Sequence, residues 1–372
     1  MEPVNSSPPN ASLFHPAVEP LKRVNAVLPC ISEALDGIGG QLKSEPEFFQ
    51  VEEILPYAPC GEGEHVFVVL RRKNLNTMDV ARQIQRVLGV NATDVGYGGR
   101  KDKWAVTTQT FSIRISLSVP LSDIQNALSD LPVEILELKR HGNKLKIGHV
   151  SANRFRIIIT DCVPDALERA NTVAQRLKEN GIPNFFGEQR FGEAYRNLDR
   201  GLALFSTRKK SRRRSDVFLV SAVQAALFNA WLAQRMGRGE FSEMLPGDVA
   251  KKTDTGGLFT VSDVEEARSR LHQGAIVYTG PIFGYKMMSA GETAGGIETG
   301  LLASFGMTPL DFKPLRAKGT RRPAILHIPD LAIETVGQGL RFSFTLPSGA
   351  YATTVLREFM KTKVPSPITD SP

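Results

Sequence analysis

Cysteine is scarce in this chain. Cys30, Cys60 and Cys162 are the three present in 372 residues, too few and too scattered for a disulfide framework, and no C-x-x-C pair offers a zinc site. Idle thiols in a reducing cytoplasm are the reading that follows. Long apolar runs are missing as well. Stretches such as Ile157-Ile158-Ile159 fall far short of the ~20 residues that cross a bilayer, so no membrane partner is expected. The first twenty residues have neither the basic start nor the apolar stretch of a signal peptide; with Pro3, Pro8, Pro9, Pro16 and Pro20 they read as a flexible leader. No H-x-x-x-H or H-E-x-x-H pattern occurs among the six histidines, and no metal is expected. Gly96-Tyr97-Gly98-Gly99-Arg100-Lys101 lacks the third glycine of a dinucleotide loop and the G-K-[ST] end of a P-loop. Ser-His-Asp catalysis has no nucleophile elbow to rest on.

What is present is ordinary globular composition with an uneven positive charge. Charged residues make up 23% and apolar ones 41%, and 46 Lys and Arg against 39 Asp and Glu leave a net charge of +7. The run Arg208-Lys209-Lys210-Ser211-Arg212-Arg213-Arg214 holds six cations in seven residues. A second basic zone passes through Lys139, Arg140, His141, Lys144, Lys146, Arg154 and Arg156, and a third is Arg100, Lys101 and Lys103. Clusters of this kind suit a polyphosphate partner, because each neutralised phosphate releases condensed counterions. Together they point to nucleic acid without naming a chemistry.

The length suggests two domains, or one with an insertion. Phe48 to Val51 and Val66 to Leu70 read as strands, and a helix capped by Thr77 and closed by Gly89 buries Val80, Ala81, Ile84, Val87 and Leu88. Phe111, Ile113, Ile115 and Leu117 alternate with polar residues, as a half-buried strand does. Val133 to Lys139 and Phe155 to Thr160 are further strands, and His141 and His149 flank an expected hairpin between them. Leu167, Ala170, Val173, Ala174 and Leu177 mark a helix closed by Gly181. From about Gly181 to His327 the character changes, with the densest basic run and an amphipathic helix around Val220 to Met236; strand alternation returns in Leu340, Phe342, Phe344 and Leu346. A domain inserted into another explains that order. The expected division is a leader over 1–22, a split catalytic domain over 23–180 and 328–363, an insert over 181–327 and a loose tail over 364–372.

Asp102 is the carboxylate best suited to chemistry. It lies between Lys101 and Lys103, after two glycines that let the backbone turn tightly, and nearby cations favour its ionised form. An ionised carboxylate among cations can act as nucleophile or general base on an anionic substrate, although the same pattern also describes a solvated turn. Gly98 to Gln109, GGRKDKWAVTTQ, resembles the G-x-K-D-x-x-A-x-T-x-Q signature of the TruD family of tRNA pseudouridine synthases. Five more blocks are similar to that family in the expected order: Lys43 to Glu53, Lys144 to Gly148, Ala152 to Phe155, Pro183 to Gly192, and Leu346 to Thr353 with Leu356-Arg357-Glu358.

The resemblance implies an α+β pseudouridine synthase fold, with a mixed, largely antiparallel sheet interrupted by an inserted α/β TRUD domain. It implies isomerisation of uridine, at position 13 in the D arm of tRNA, with tRNA as partner and no cofactor. By position Asp102 becomes the catalytic aspartate, whether it adds to the base, attacks C1′ or deprotonates the sugar. Lys43 is expected to pair with it, Tyr351 to stack on the base, Phe49 and Phe155 to wall the site, and Asn153, on a polar turn, to bond uracil or orient Asp102. Arg208, Lys209, Lys210, Arg212, Arg213 and Arg214 are expected to grip the RNA backbone. Ala152, Phe185 and Tyr351 depart from the family pattern without touching the K-D core. A synthase with broader RNA targets and a non-catalytic RNA chaperone are the rival readings. The sequence carries no signal of oligomeric state.

Overall fold

Alternating and β-branched segments pair into one nine-stranded sheet: β1 Gly39–Leu42, β2 Phe49–Ile54, β3 His65–Lys73, β4 Val95–Tyr97, β5 Val106–Arg114, β6 Glu134–His141, β7 Ala152–Cys162, β8 Ala332–Val336 and β9 Gly339–Pro347. The computed structural model describes residues 18–207, 214–337 and 339–361. Strand order is β8-β9-β7-β2-β5-β3-β6, with β1 on β7 and β4 on β5. Every pairing is antiparallel except β2 with β5. The sheet is therefore mixed and largely antiparallel. Four helices accompany it: α1 Thr77–Leu88, α2 Leu121–Leu128, α3 Ala166–Asn180 and α4 Ala352–Met360. The apolar stripes of α3 and α4 pack with Phe49, Phe155, Ile157, Phe342 and Phe344 in one core. Those of α1 and α2 pack with Val66, Val68, Leu70, Phe111 and Ile113 in a second.

Several local expectations change. The cap of α1 is Asn76, whose side chain accepts from the Asp79 amide, and Gly89 closes the helix at φ 65°. β5 is not half-buried: Gln109 to Ile113 are all buried, because the strand runs between β3 and the β2 and β4 side and Ser112 accepts the Leu145 amide. On α3 the buried face is Ala166, Ala170, Val173 and Leu177, with Leu167 exposed. His141 and His149 do not flank a hairpin, since β2, β5 and β3 lie between β7 and β6 in the sheet.

The chain separates into two compact units, Cys30–Gln189 with Leu326–Pro372, and Met1–Pro29 with Arg190–Ile325. The leader expected over 1–22 is cut short by a helix, Val18–Ala26, that belongs to the second unit. Leu21 is buried there, and Asn25 donates to the Ala226 carbonyl and accepts from Asn229. The second unit also contains a four-stranded antiparallel sheet in the order 258–260, 249–252, 276–282, 320–323. Its longest helix is Arg214–Gly237. Ser215–Gly237 is long and apolar enough to cross a membrane, but 72% of its apolar stretch is buried inside the protein. Its middle is not amphipathic as expected: Ala225, Ala226, Leu227 and Phe228 are buried in succession, so that stretch is enclosed on all sides, while Val217 and Phe218 near its start are exposed. Two bidentate pairs, Arg235 with Asp248 and Arg321 with Glu298, are buried in this unit.

Candidate active site

Strand register sets a polar row into an otherwise apolar sheet face. Leu70 lies opposite Gln109, Glu53 opposite Asn153, and Leu346 opposite Asn153. Gln109 Nε2 closes the row by donating to Glu53 Oε1 at 3.3 Å. Residues aligned across strands present their side chains on one face, so the two apolar cores end on either side of Glu53, Gln109 and Asn153. Asn153 thus stands on a strand and not on the turn expected for it, and Ala152 starts that strand opposite Ile54 and Pro347.

The loop between β4 and β5 delivers Asp102 over this row. Gly99 and Lys101 tie it down: Gln109 Nε2 donates to the Gly99 carbonyl at 2.7 Å, and the Lys101 amide donates to Thr77 Oγ1 at 3.0 Å. Lys101 and Asp102 then diverge. Lys101 turns inward to Glu53, Nζ to Oε1 3.1 Å, with both side chains nearly shut off from solvent, and it also donates to Asn153 Oδ1. Asp102 stays one-third exposed and accepts from Lys43 Nζ at 2.9 Å. Lys43 follows β1 with φ at 62°, a left-handed conformation that costs a non-glycine residue about 1 kcal/mol or more. Trp104 Nε1 bonds its carbonyl at 3.1 Å, and its ammonium sits 4.2 Å from the centre of the Phe49 ring. The cation beside Asp102 is therefore Lys43, while the neighbouring Lys101 is engaged with Glu53.

Glu53 and Arg72 were not singled out from the sequence. The Glu53 carboxylate also accepts the Thr110 amide, at 3.2 Å. Arg72 is 1% exposed and donates through Nη2 to Thr77 Oγ1 at 3.2 Å, while its Nε and Nη1 are buried without a hydrogen-bond partner. Burial pulls its guanidinium down to about 10, against the opposing pull of Glu53 and Asp102. Burial likewise lowers the Lys101 ammonium, against the stabilising carboxylate of Glu53. Their signal was strand parity: Glu53 falls on the same face as Val51 and Phe49, and Arg72 on that of Leu70 and Val68. A charge at such a position requires a buried partner.

The aromatic residues have separate places. Phe49 and Phe155 are both buried, rings edge-to-face at 6.3 Å, and Phe155 also meets Phe344 at 5.5 Å. Tyr351 precedes α4 after the Pro347-Ser348-Gly349 turn, where the Ser348 amide bonds the Ser151 carbonyl. Its ring meets Phe186 edge-on at 6.0 Å, and a Cβ on Gly187 would come within 3.0 Å of it, so glycine there admits the ring. Of the expected RNA-backbone residues, Arg208, Lys209, Lys210, Arg212 and Arg213 lie outside the described residues, and Arg214 opens the long helix of the second unit. Among the described residues no group of three or more His, Cys, Asp and Glu side chains is placed to hold a metal.

A partly exposed carboxylate salt-bridged to a lysine, beside buried aromatic rings on a mixed sheet, is chemically able to act as a base or nucleophile. Comparison with known proteins gives the chain a family. The profile of tRNA pseudouridine synthase D (TruD) matches residues 29–202 and 209–359, and the chain belongs to this family. It is 42% identical over 352 residues to tRNA pseudouridine synthase D of Anaeromyxobacter dehalogenans (strain 2CP-C), covering 92% of this chain and 99% of that one. A protein of the same name from Thermus thermophilus is 40% identical over 337 residues, covering 90% and 92%. A crystal structure from Methanosarcina mazei that carries the same family name shares the fold with a TM-score of 0.72 at 24% identity, covering 92% of this chain and 97% of that one.

Proposed function

We propose that this chain isomerises uridine to pseudouridine in tRNA, at position 13 of the D arm, with Asp102 as the catalytic carboxylate. The reaction breaks the N1–C1′ bond, turns the base and forms C5–C1′; C5 loses a proton and N1 gains one, so no co-reactant is consumed. The observation that carries the reading is the 2.9 Å Lys43–Asp102 pair, with the Lys43 ammonium over the Phe49 ring and the partly exposed Asp102 in the family's K-D loop. Lys43 holds the carboxylate in one direction. Asp102 then serves as nucleophile toward the base or C1′, or as base toward the sugar; each route uses the same oxygen pair. The uridine must leave its stack to be reached, and Tyr351 supplies a ring on which the freed base stacks. Asn153, fixed by Lys101, offers polar atoms to the base edge.

The run from Arg208 to Arg214 grips the RNA backbone in this reading, and replacing it with glutamines weakens binding and flattens its salt dependence. The three free cysteines accord with a reducing cytoplasm, where tRNA is found. Tritium release from a tRNA transcript labelled at uridine C5 tests the reaction, and a transcript with cytidine at position 13 tests the position. Release expected from the first and lost in the second supports the proposal; no release from either overturns it. Release from both assigns a broader set of targets.

A further inference from the structure

The molecule has a second recess, lined by aromatic rings and basic side chains, that the isomerisation does not use. It encloses about 560 Å³ and is lined by Tyr57, His65, His141, Lys144, Lys146 and His149, with Gly142 and Asn143 at its rim. Among the described residues no acidic side chain lines it. One wall is aromatic: Tyr57 stacks on His141 at 5.3 Å and 18°, and its hydroxyl lies 3.1 Å from His149 Nδ1. Tyr57 is nonetheless 36% exposed. His141 Nδ1 accepts the Cys60 amide, which leaves its Nε2 as a hydrogen-bond donor. His65 Nδ1 is buried with no hydrogen-bond partner. The Lys146 carbonyl accepts the His149 amide, while its side chain is exposed and makes no ion pair among the described residues.

The recess is joined to the loop that carries Asp102. The Gly148 amide donates to the Gly98 carbonyl at 3.0 Å. A Cβ on Gly98 would stand 2.4 Å from Val150, and one on Gly96 would stand 2.2 Å from the Leu145 carbonyl, so both glycines are needed for the 145–150 segment to lie on that loop. An exposed ring beside cations and histidine donors, with no acid among the lining residues, matches one nucleotide of RNA: a base on the ring and a phosphate among the cations.

We infer that this recess is a nucleotide subsite, which holds one base and phosphate of the same RNA whose uridine reaches Asp102. The inference rests on the function proposed above. Its test is binding of an unmodified tRNA transcript to the full-length protein, with affinity followed from low to high salt. Lys146→Gln should reduce the slope of log K against log salt by about 0.7 to 0.9, the value of one phosphate contact, whereas Lys178→Gln, the same charge change on the exposed face of α3, should not. Tyr57→Ala should weaken binding about tenfold, as loss of one stacked base does, with the slope unaltered, and Tyr57→Phe should restore affinity. Equal slopes for Lys146→Gln and Lys178→Gln, or wild-type affinity in Tyr57→Ala, would overturn the subsite. Circular dichroism of Tyr57→Ala separates unfolding from lost contact, and Lys146→Gln, on an unpaired exposed side chain, tests the site regardless. Tritium release by the wild-type protein is measured alongside. Absent release with the expected binding changes would remove the isomerase reading and leave an RNA-binding subsite; release without those changes would do the reverse.

Discussion

Replacing Glu53 by glutamine should be far more damaging than its place on a strand suggests. Its side chain is 1% exposed, and the carboxylate accepts from Lys101, Gln109 and the Thr110 amide while facing the buried guanidinium of Arg72. The amide keeps the shape but removes the negative charge that Lys101 contacts. Breaking a buried pair by removing one partner costs about 3–5 kcal/mol. At about 2–4 °C per kcal/mol for a unit of this size, the melting point of the unit that holds Glu53 should fall by about 6–20 °C. The two tryptophans make the transitions separable, because Trp104 lies in the same unit as Glu53 and Trp231 in the other. Fluorescence unfolding in a Trp231→Phe background follows the first alone. Lys101→Met should cost less in the Glu53→Gln background than in the wild type, with a coupling of at least about 1 kcal/mol. A Glu53→Gln loss below about 1 kcal/mol, or a coupling of zero, would refute the reasoning and make the pair equivalent to a solvated one.

Three further outcomes follow from the same geometry. Lys43→Met releases Asp102 from its fixed direction and should lower the single-turnover rate of pseudouridine formation about 10²-fold, with tRNA affinity changed by much less; an unaltered rate would remove Lys43 from the site. Asp248→Asn uncovers the buried Arg235, so unfolding followed by Trp231 in a Trp104→Phe background should show a loss of about 3–5 kcal/mol, and a loss under about 1 kcal/mol would contradict it. Burial, with Arg114, Lys144 and His141 opposing Glu64, holds the His65 imidazole below its usual 6.5. The unfolded chain then binds more protons as pH drops below 6.5, so stability should fall from that point down to the folded-state value and stay level above it; His65→Phe should flatten that segment of the urea-midpoint profile, and an identical profile would count against it.

Much of the fold was legible because β2, β3, β7 and β9 alternate or are β-branched and the helices on the sheet have one apolar stripe. Asp102 was legible because it stands in the compact K-D loop. Lys43 was reached through a separate block, fifty-nine residues earlier in the chain. The long helix Arg214–Gly237 was misread because its middle, enclosed on all sides, has no polar face to mark its period. Ser112 was misread because a small polar side chain buried against a backbone donor looks solvent-facing in sequence. Glu53 and Arg72 were missed because a charge on a strand resembles an outward residue unless its parity is compared with its neighbours. The expected hairpin failed on topology: adjacency along the chain did not become adjacency in the sheet.

The central claim is that one carboxylate, held by Lys43, performs the isomerisation. Asp102→Asn, isosteric and still able to accept from Lys43, isolates the charge from the shape. Single-turnover conversion of a tRNA transcript, read as pseudouridine by nuclease digestion and mass spectrometry, should show no product in this variant while filter binding gives an affinity within a few-fold of wild type. Pseudouridine formed at a rate near the wild-type value would contradict the account.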